Sequence, residues 1–312
     1  GVFAENRYFD VFTEYAKAEQ DDILIRITVV NRGPEAATIH LLPSLWCRNT
    51  WSWQAQEEPR PLLSRVEGGI HAQIPGLGEY RLSLDGTPAT LFTENESNTQ
   101  ALWGSSGLGN VYTKDGFHRY LIHGETGAAS DVSGTKACAV YRLDLASEET
   151  RVVRLRLTQQ GEPSGLVTDF DGIFAERIAE ADEFYASLRG GLSEDAKSVQ
   201  RQAFAGLLWS KQYYHFVVDT WLKGDPAYPA PPPERQKGRN SSWPHLYNED
   251  IISMPDKWEY PWYAAWDLGF HAISLSLIDP EFAKDQLKLF LREWYLHPNG
   301  QDRTSTRLNS SH

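Results

Sequence analysis

The sequence predicts two domains of different class, an antiparallel β-sandwich over residues 1–160 and an all-helical domain over residues 161–301. Three observations carry this expectation. Apolar residues recur every second position in the first half, as in half-buried strands; beyond Pro163 they recur every third or fourth, as in amphipathic helices. The third is size: 312 residues, 41% of them hydrophobic, exceed a usual single domain and provide enough apolar surface for large cores.

The strands follow in order. Asp22 to Val30 places Ile23, Ile25, Ile27 and Val29 on one face. Asn31 to Pro34 then supplies a turn, and Ala37 to Leu42 opens another strand. Arg151 to Thr158 repeats the pattern, Val153, Leu155 and Leu157 alternating with Arg154, Arg156 and Thr158. Breaks rich in Gly and Asn, Leu84 to Pro88 and Ser105 to Asn110, punctuate shorter strands between. Runs of strands followed by runs of helices mark separate layers of architecture.

The helices come next. Asp169 to Arg189 spaces Phe170, Ile173, Phe174, Ile178, Ala181, Phe184 and Tyr185 at helical intervals. Ser193 reads as the N-cap of a second helix, with Glu194 and Asp195 in its first turn and an apolar run through Phe204, Leu207, Leu208 and Phe216. A third helix is expected from Pro261 to Asp279, and Asp279-Pro280 caps and opens a fourth reaching Trp294. The proline-rich stretch 226–257 reads as a long loop, a feature that is more often functional than idle.

Charge and composition exclude several partners. A net charge of −12 offers no counterion release to nucleic acid and no attraction to an anionic membrane, so neither is expected as a partner. No apolar run reaches membrane-spanning length. Cys47 and Cys138 lie far apart without CxxC spacing and read as two buried free thiols; no metal and no cofactor is expected. The chain opens at Gly1 without a leader pattern, leaving cytoplasmic only as the default compartment. Residues 302–312 are polar and aperiodic and read as a non-native or disordered tail, with the chain ending inside its second domain.

The densest chemistry lies between Lys257 and His271. A carboxylate, Asp267, stands among Trp258, Tyr260, Trp262, Tyr263 and Trp266, and four of the eleven tryptophans fall between Trp243 and Trp266. Nearby are Arg239, Asn240, His245, Asn248, Glu249 and Asp250. At about 100° per residue, Tyr263, Asp267, His271 and Ser274 share a stripe. Aromatic faces stack on the C–H faces of sugars while polar groups bind hydroxyls, and apolar walls make a carboxyl resist ionisation. The plain alternative is a solvated Asp267 pairing with His271 one turn on, beside rings that belong to a core.

The segments Gly238 to Asn240 and Trp243 to His271 closely resemble bacterial proteins of glycoside hydrolase family 63, and Phe92 to Thr99 and Tyr112 to His118 match more loosely. This resemblance implies a β-sandwich followed by the first helices of an (α/α)6 toroid, and hydrolysis of an α-glucosidic or α-mannosidic bond with inversion. It places Asp267 on the general acid and makes Trp258, Glu259, Tyr260, Trp262, Tyr263 and Trp266 substrate-binding, with a small saccharide or glycosylglycerate as substrate. Inversion needs a second carboxylate as base, roughly 6.5–9.5 Å from the acid. In the family that base is a glutamate later in the barrel, so the chain alone is expected to be inactive; neither Glu249 nor Glu259 is assigned the role. Other sugar enzymes on a toroid, such as glucoamylase-like hydrolases, disaccharide phosphorylases and polysaccharide lyases, remain alternatives by fold analogy, as does a non-catalytic carbohydrate-binding protein. The negative charge disfavours a lyase acting on an acidic polymer.

Overall fold

Strand-forming alternation dominates the first half of the chain, and there a computed structural model places eleven strands among the described residues. It describes residues 3–51, 59–104, 112–159, 165–188, 191–224, 229–238, 240–256, 258–260 and 262–298. The expected tail at 302–312 lies outside them, as do Arg239, Lys257 and Pro261.

The chain divides into two compact units, Gly1–Ala179 and Glu180–His312. The first contains β1 (Phe9–Glu19), β2 (Asp22–Asn31), β3 (Ala37–Leu41), β4 (Ser44–Trp46), β5 (Leu62–Val66), β6 (Gly69–Ile74), β7 (Gly78–Leu84), β8 (Ala89–Thr93), α1 (Thr99–Trp103), α2 (Gly116–His123), β9 (Ser133–Gly134), β10 (Lys136–Leu145) and β11 (Thr150–Gln159). One antiparallel sheet has the order β1-β2-β11-β7-β6-β5-β9. In the other, β10 pairs with β3, β4 and β8.

Both sheets feed one core. Ile27 and Val29 from β2, Ile70 and Ala72 from β6, Leu82 from β7 and Val153 and Leu155 from β11 meet Phe92 from β8 and Ala137 and Ala139 from β10. The alternation of Ile25, Ile27 and Val29 thus faces this core, and Leu24, on the other face of β2, is buried with Ala16 under Phe170 and Phe174 of α3 (Phe170–Ser187). That contact keeps the start of α3 with the first unit, and the division between units falls inside α3 at Ala179, where the change in periodicity suggested residue 160.

The second unit continues with α4 (Glu194–Trp209), β12 (Lys211–Val217), α5 (Val218–Lys223), β13 (Tyr247–Ser253), α6 (Ala265–Leu275) and α7 (Pro280–Leu289). Ser193 and Asp279 are the N-caps expected, accepting from Ala196 N at 3.3 Å and from Phe282 N at 3.1 Å.

Three expectations for this unit are corrected. It is not all-helical: Lys211 to Val217 leaves the helical path and pairs antiparallel with Tyr247 to Ser253, so Phe216 lies on a strand and the stretch 226–257 contains one. Aromatic and branched residues in Lys211 to Val217 favour the pleated surface. The third helix starts at Ala265 rather than Pro261: Ala264 is still extended, and both Tyr263 and Ala264 are completely buried ahead of the first turn. The fourth ends at Leu289 and is followed by a short 3-10 turn, Glu293–Tyr295, whose Tyr295 folds into the core.

Among the described residues no helix is long and apolar enough to cross a membrane, and no group of three or more His, Cys, Asp or Glu is arranged to hold a metal. Cys138 is buried and Cys47 half-buried, both as free thiols, and burial pushes the Cys138 thiol up to about 12.

Candidate active site

Asp267 sits in the first turn of α6 and is half-buried. Negative charge is favourable there, against the exposed N–H groups of a helix start, and Ala264 as N-cap offers no side chain to those groups. Among the described residues, the Asp267 carboxyl makes no hydrogen bond and no ion pair. Its neighbouring aspartates are all engaged. Asp250 accepts from Arg292 and from the Tyr295 hydroxyl, both at 2.6 Å. Asp256 accepts the backbone N–H groups of Trp258 and Glu259 at 2.6 and 2.7 Å, which hold its carboxyl below the usual range. Asp279 pairs with Lys211 at 2.6 Å.

One turn beyond Asp267 is His271, half-buried, with Nδ1 3.0 Å from the Oγ of Ser253 at the end of β13. Burial pushes its imidazole below the ordinary histidine range, and the charge of Asp267 draws it partly back. Ser253 is fully buried, and its N–H donates to Gln286 of α7. Gln286 in turn donates to the carbonyl of Ile251 at 3.0 Å, so β13 is tied to both α6 and α7. Sequence reading missed Ser253 because β13 was taken for loop: Tyr247-Asn-Glu-Asp-Ile-Ile-Ser253 has no apolar alternation, and its inward and outward positions are told apart only by burial.

The expected substrate-binding residues separate into four environments. Trp258 is 88% exposed and Glu259 is exposed beside it, both on the loop pinned by Asp256. Tyr260 and Trp262 are half-buried with rings 5.4 Å apart, and Gln212 of β12 donates to the Tyr260 carbonyl. Tyr263 is a correction: with no exposed surface, packed edge-on against Tyr295 at 4.8 Å and near Phe290, it belongs to the core and has no face left for a sugar. Trp266 is 65% exposed and continues along α6 into Phe270 and Ile273, an apolar stripe that Leu277 extends just past the end of the helix. Of the other polar groups, His245 contacts the Leu296 carbonyl at 3.0 Å and Asn248 is fully buried. A cleft of about 580 Å³ lies elsewhere in this unit, lined by Asp182, Tyr185, Lys197 and Arg201 among others, and carries no candidate residue.

No family model matches the chain. Among curated proteins it is 40% identical, over 338 aligned positions, to the uncharacterized protein YMR196W of Saccharomyces cerevisiae. The alignment covers 95% of this chain and 31% of that protein, so the chain spans about a third of the length of the relative it matches. Among solved structures, the polysaccharide lyase BACCELL_00875 aligns with 54% of this chain and 22% of its own, at 12% identity and a TM-score of 0.31.

Proposed function

We propose that this chain carries the acid half of an inverting glycosidase that acts on α-glucosidic or α-mannosidic bonds of a small carbohydrate. The observation that carries the reading is the Asp267 carboxyl. It is half-buried, uncommitted among described partners, and set beside a histidine that burial keeps from charging, while every other aspartate of the region is engaged. A general acid must hold a proton and remain free to give it away, and an ion-paired carboxylate does neither. Trp258, with Tyr260 and Trp262, supplies ring faces for the sugar, and Glu259 supplies a hydrogen-bond acceptor for its hydroxyls.

In this reading α4, α6 and α7 are early helices of an (α/α)6 toroid. The exposed stripe Trp266, Phe270, Ile273 and Leu277 supports it, since such a surface calls for neighbouring helices. The base is then a carboxylate outside this chain, which fits a relative about three times as long. The substrate is a small saccharide, with neither nucleic acid nor membrane involved.

The test is Asp267→Asn in the full-length protein, assayed on α-linked disaccharides and glycosylglycerates. The expected result is a loss of turnover of about 10²–10⁴-fold with ligand affinity within a few-fold. Loss of affinity in a protein that turns over none of these compounds would favour a non-catalytic carbohydrate-binding module.

A further inference from the structure

Ser253 has no exposed surface, so its hydroxyl hydrogen needs a partner inside the fold. The backbone N–H of Ser253 is already taken by Gln286, itself almost completely buried. Among the described residues, the one acceptor within reach of the hydroxyl is Nδ1 of His271, at 3.0 Å. Ser253 therefore donates, Nδ1 accepts, and the imidazole proton resides on Nε2. A second proton on Nδ1 would force the Ser253 oxygen to accept and strand its hydrogen in a dry interior, so the contact itself opposes an imidazolium.

Apart from Asp195 of α4, which is exposed, the charged groups on the elements packed around α6 are occupied elsewhere. Lys211 of β12, the cross-strand partner of Ser253, is bound to Asp279. On β13, Asp250 serves Arg292 and Tyr295, and Glu249 serves Tyr247. Lys284 and Lys288 of α7 pair with Glu281 and Asp285. On α4, Lys197 pairs with Glu194 and Arg201 with Asp182. The one charge that acts on His271 is that of Asp267, four residues earlier on the same helix, and only when that carboxyl has given up its proton.

Resting on the reading of Asp267 as the acid, we propose that His271 is its positioning residue, locked by Ser253 as a neutral Nε2–H imidazole so that no cation stands beside a carboxyl that must hold a proton. An imidazolium there would favour the carboxylate and leave the acid without a proton to donate. Ser253, buried behind His271, acts only through it.

Two measurements test this. The first uses the chain labelled with ¹⁵N-histidine, the His271 resonances being identified by their absence in His271→Gln. The expected spectrum is that of the Nε2–H tautomer at neutral pH, with a titration midpoint below the ordinary histidine range that rises in Ser253→Ala. An Nδ1–H tautomer in the unmodified chain overturns the proposal, whether or not the variant folds. The second is the pH profile of kcat/KM in the full-length protein. His271→Lys is expected to move its alkaline limb to lower pH with KM within about twofold, whereas His271→Gln leaves the limb in place. An unmoved limb in His271→Lys overturns the proposal. Failure of the glycosidase reading has a different signature, full turnover in Asp267→Asn or none in the unmodified protein, and leaves the tautomer measurement standing.

Discussion

Arg156 grips Asp22 through two hydrogen bonds, Nε to Oδ1 at 2.9 Å and Nη2 to Oδ2 at 2.7 Å, with both side chains less than 10% exposed. The pair joins β11 to β2 on the face of the seven-stranded sheet opposite the main core. Arg156 and Thr158 were expected simply as the polar alternates of the strand, yet both are buried.

Removing one partner leaves the other charge buried without its counter-ion. Asp22→Ala is expected to destabilise the first unit by about 3–5 kcal/mol, whereas replacing Asp22 and Arg156 together by leucine is expected to cost far less. Urea denaturation of the single and double variants measures this, and equal losses in both would refute it.

Tyr263 and Trp258, five residues apart, are expected to respond oppositely. Tyr263→Ala empties a fully buried, ring-packed site and should cost about 3–5 kcal/mol. Trp258→Ala removes an exposed ring and should leave stability within about 0.5 kcal/mol while weakening sugar affinity. Thermal melts paired with calorimetric titration of a saccharide separate the two, and a stable Tyr263→Ala would contradict its place in the core.

Lys211 and the Phe282 N–H hold the Asp279 carboxyl below the usual carboxylate range. Because the unfolded chain binds that proton more readily, stability rises with pH across the window between the two values. The stabilisation is complete above about pH 4 and is lost as pH falls through the depressed native value. Denaturation midpoints of the unmodified chain and Asp279→Asn, followed downward from neutral pH, should therefore converge in acid. A difference that stays constant with pH would rule out this linkage.

The parts legible in the sequence are those that depend on near neighbours. Ser193 and Asp279 cap their helices because a cap is a contact across three residues, visible as a short polar side chain before an apolar run. The alternation of Ile25, Ile27 and Val29 was legible for the same reason. By contrast, the apolar spacing of α4 runs on smoothly to Phe216, and only pairing with Tyr247 to Ser253, some thirty residues later, turns Lys211 to Val217 into a strand. Short apolar runs are ambiguous between helix and strand until a partner is present.

For the site, the sequence by itself determined the chemical inventory: Glu259 and Asp267 among tryptophans and tyrosines, a histidine one turn beyond Asp267, and a net negative charge. Which rings face solvent was decided by tertiary packing, which sent Tyr263 inward to Tyr295 and left Trp258 and Trp266 outside. The meeting of Ser253 with His271 was decided there too, because eighteen residues separate them and only the docking of β13 on α6 and α7 brings hydroxyl to imidazole. Local periodicity and capping are written in adjacent side chains; burial and long-range hydrogen bonds exist only once the chain has closed on itself.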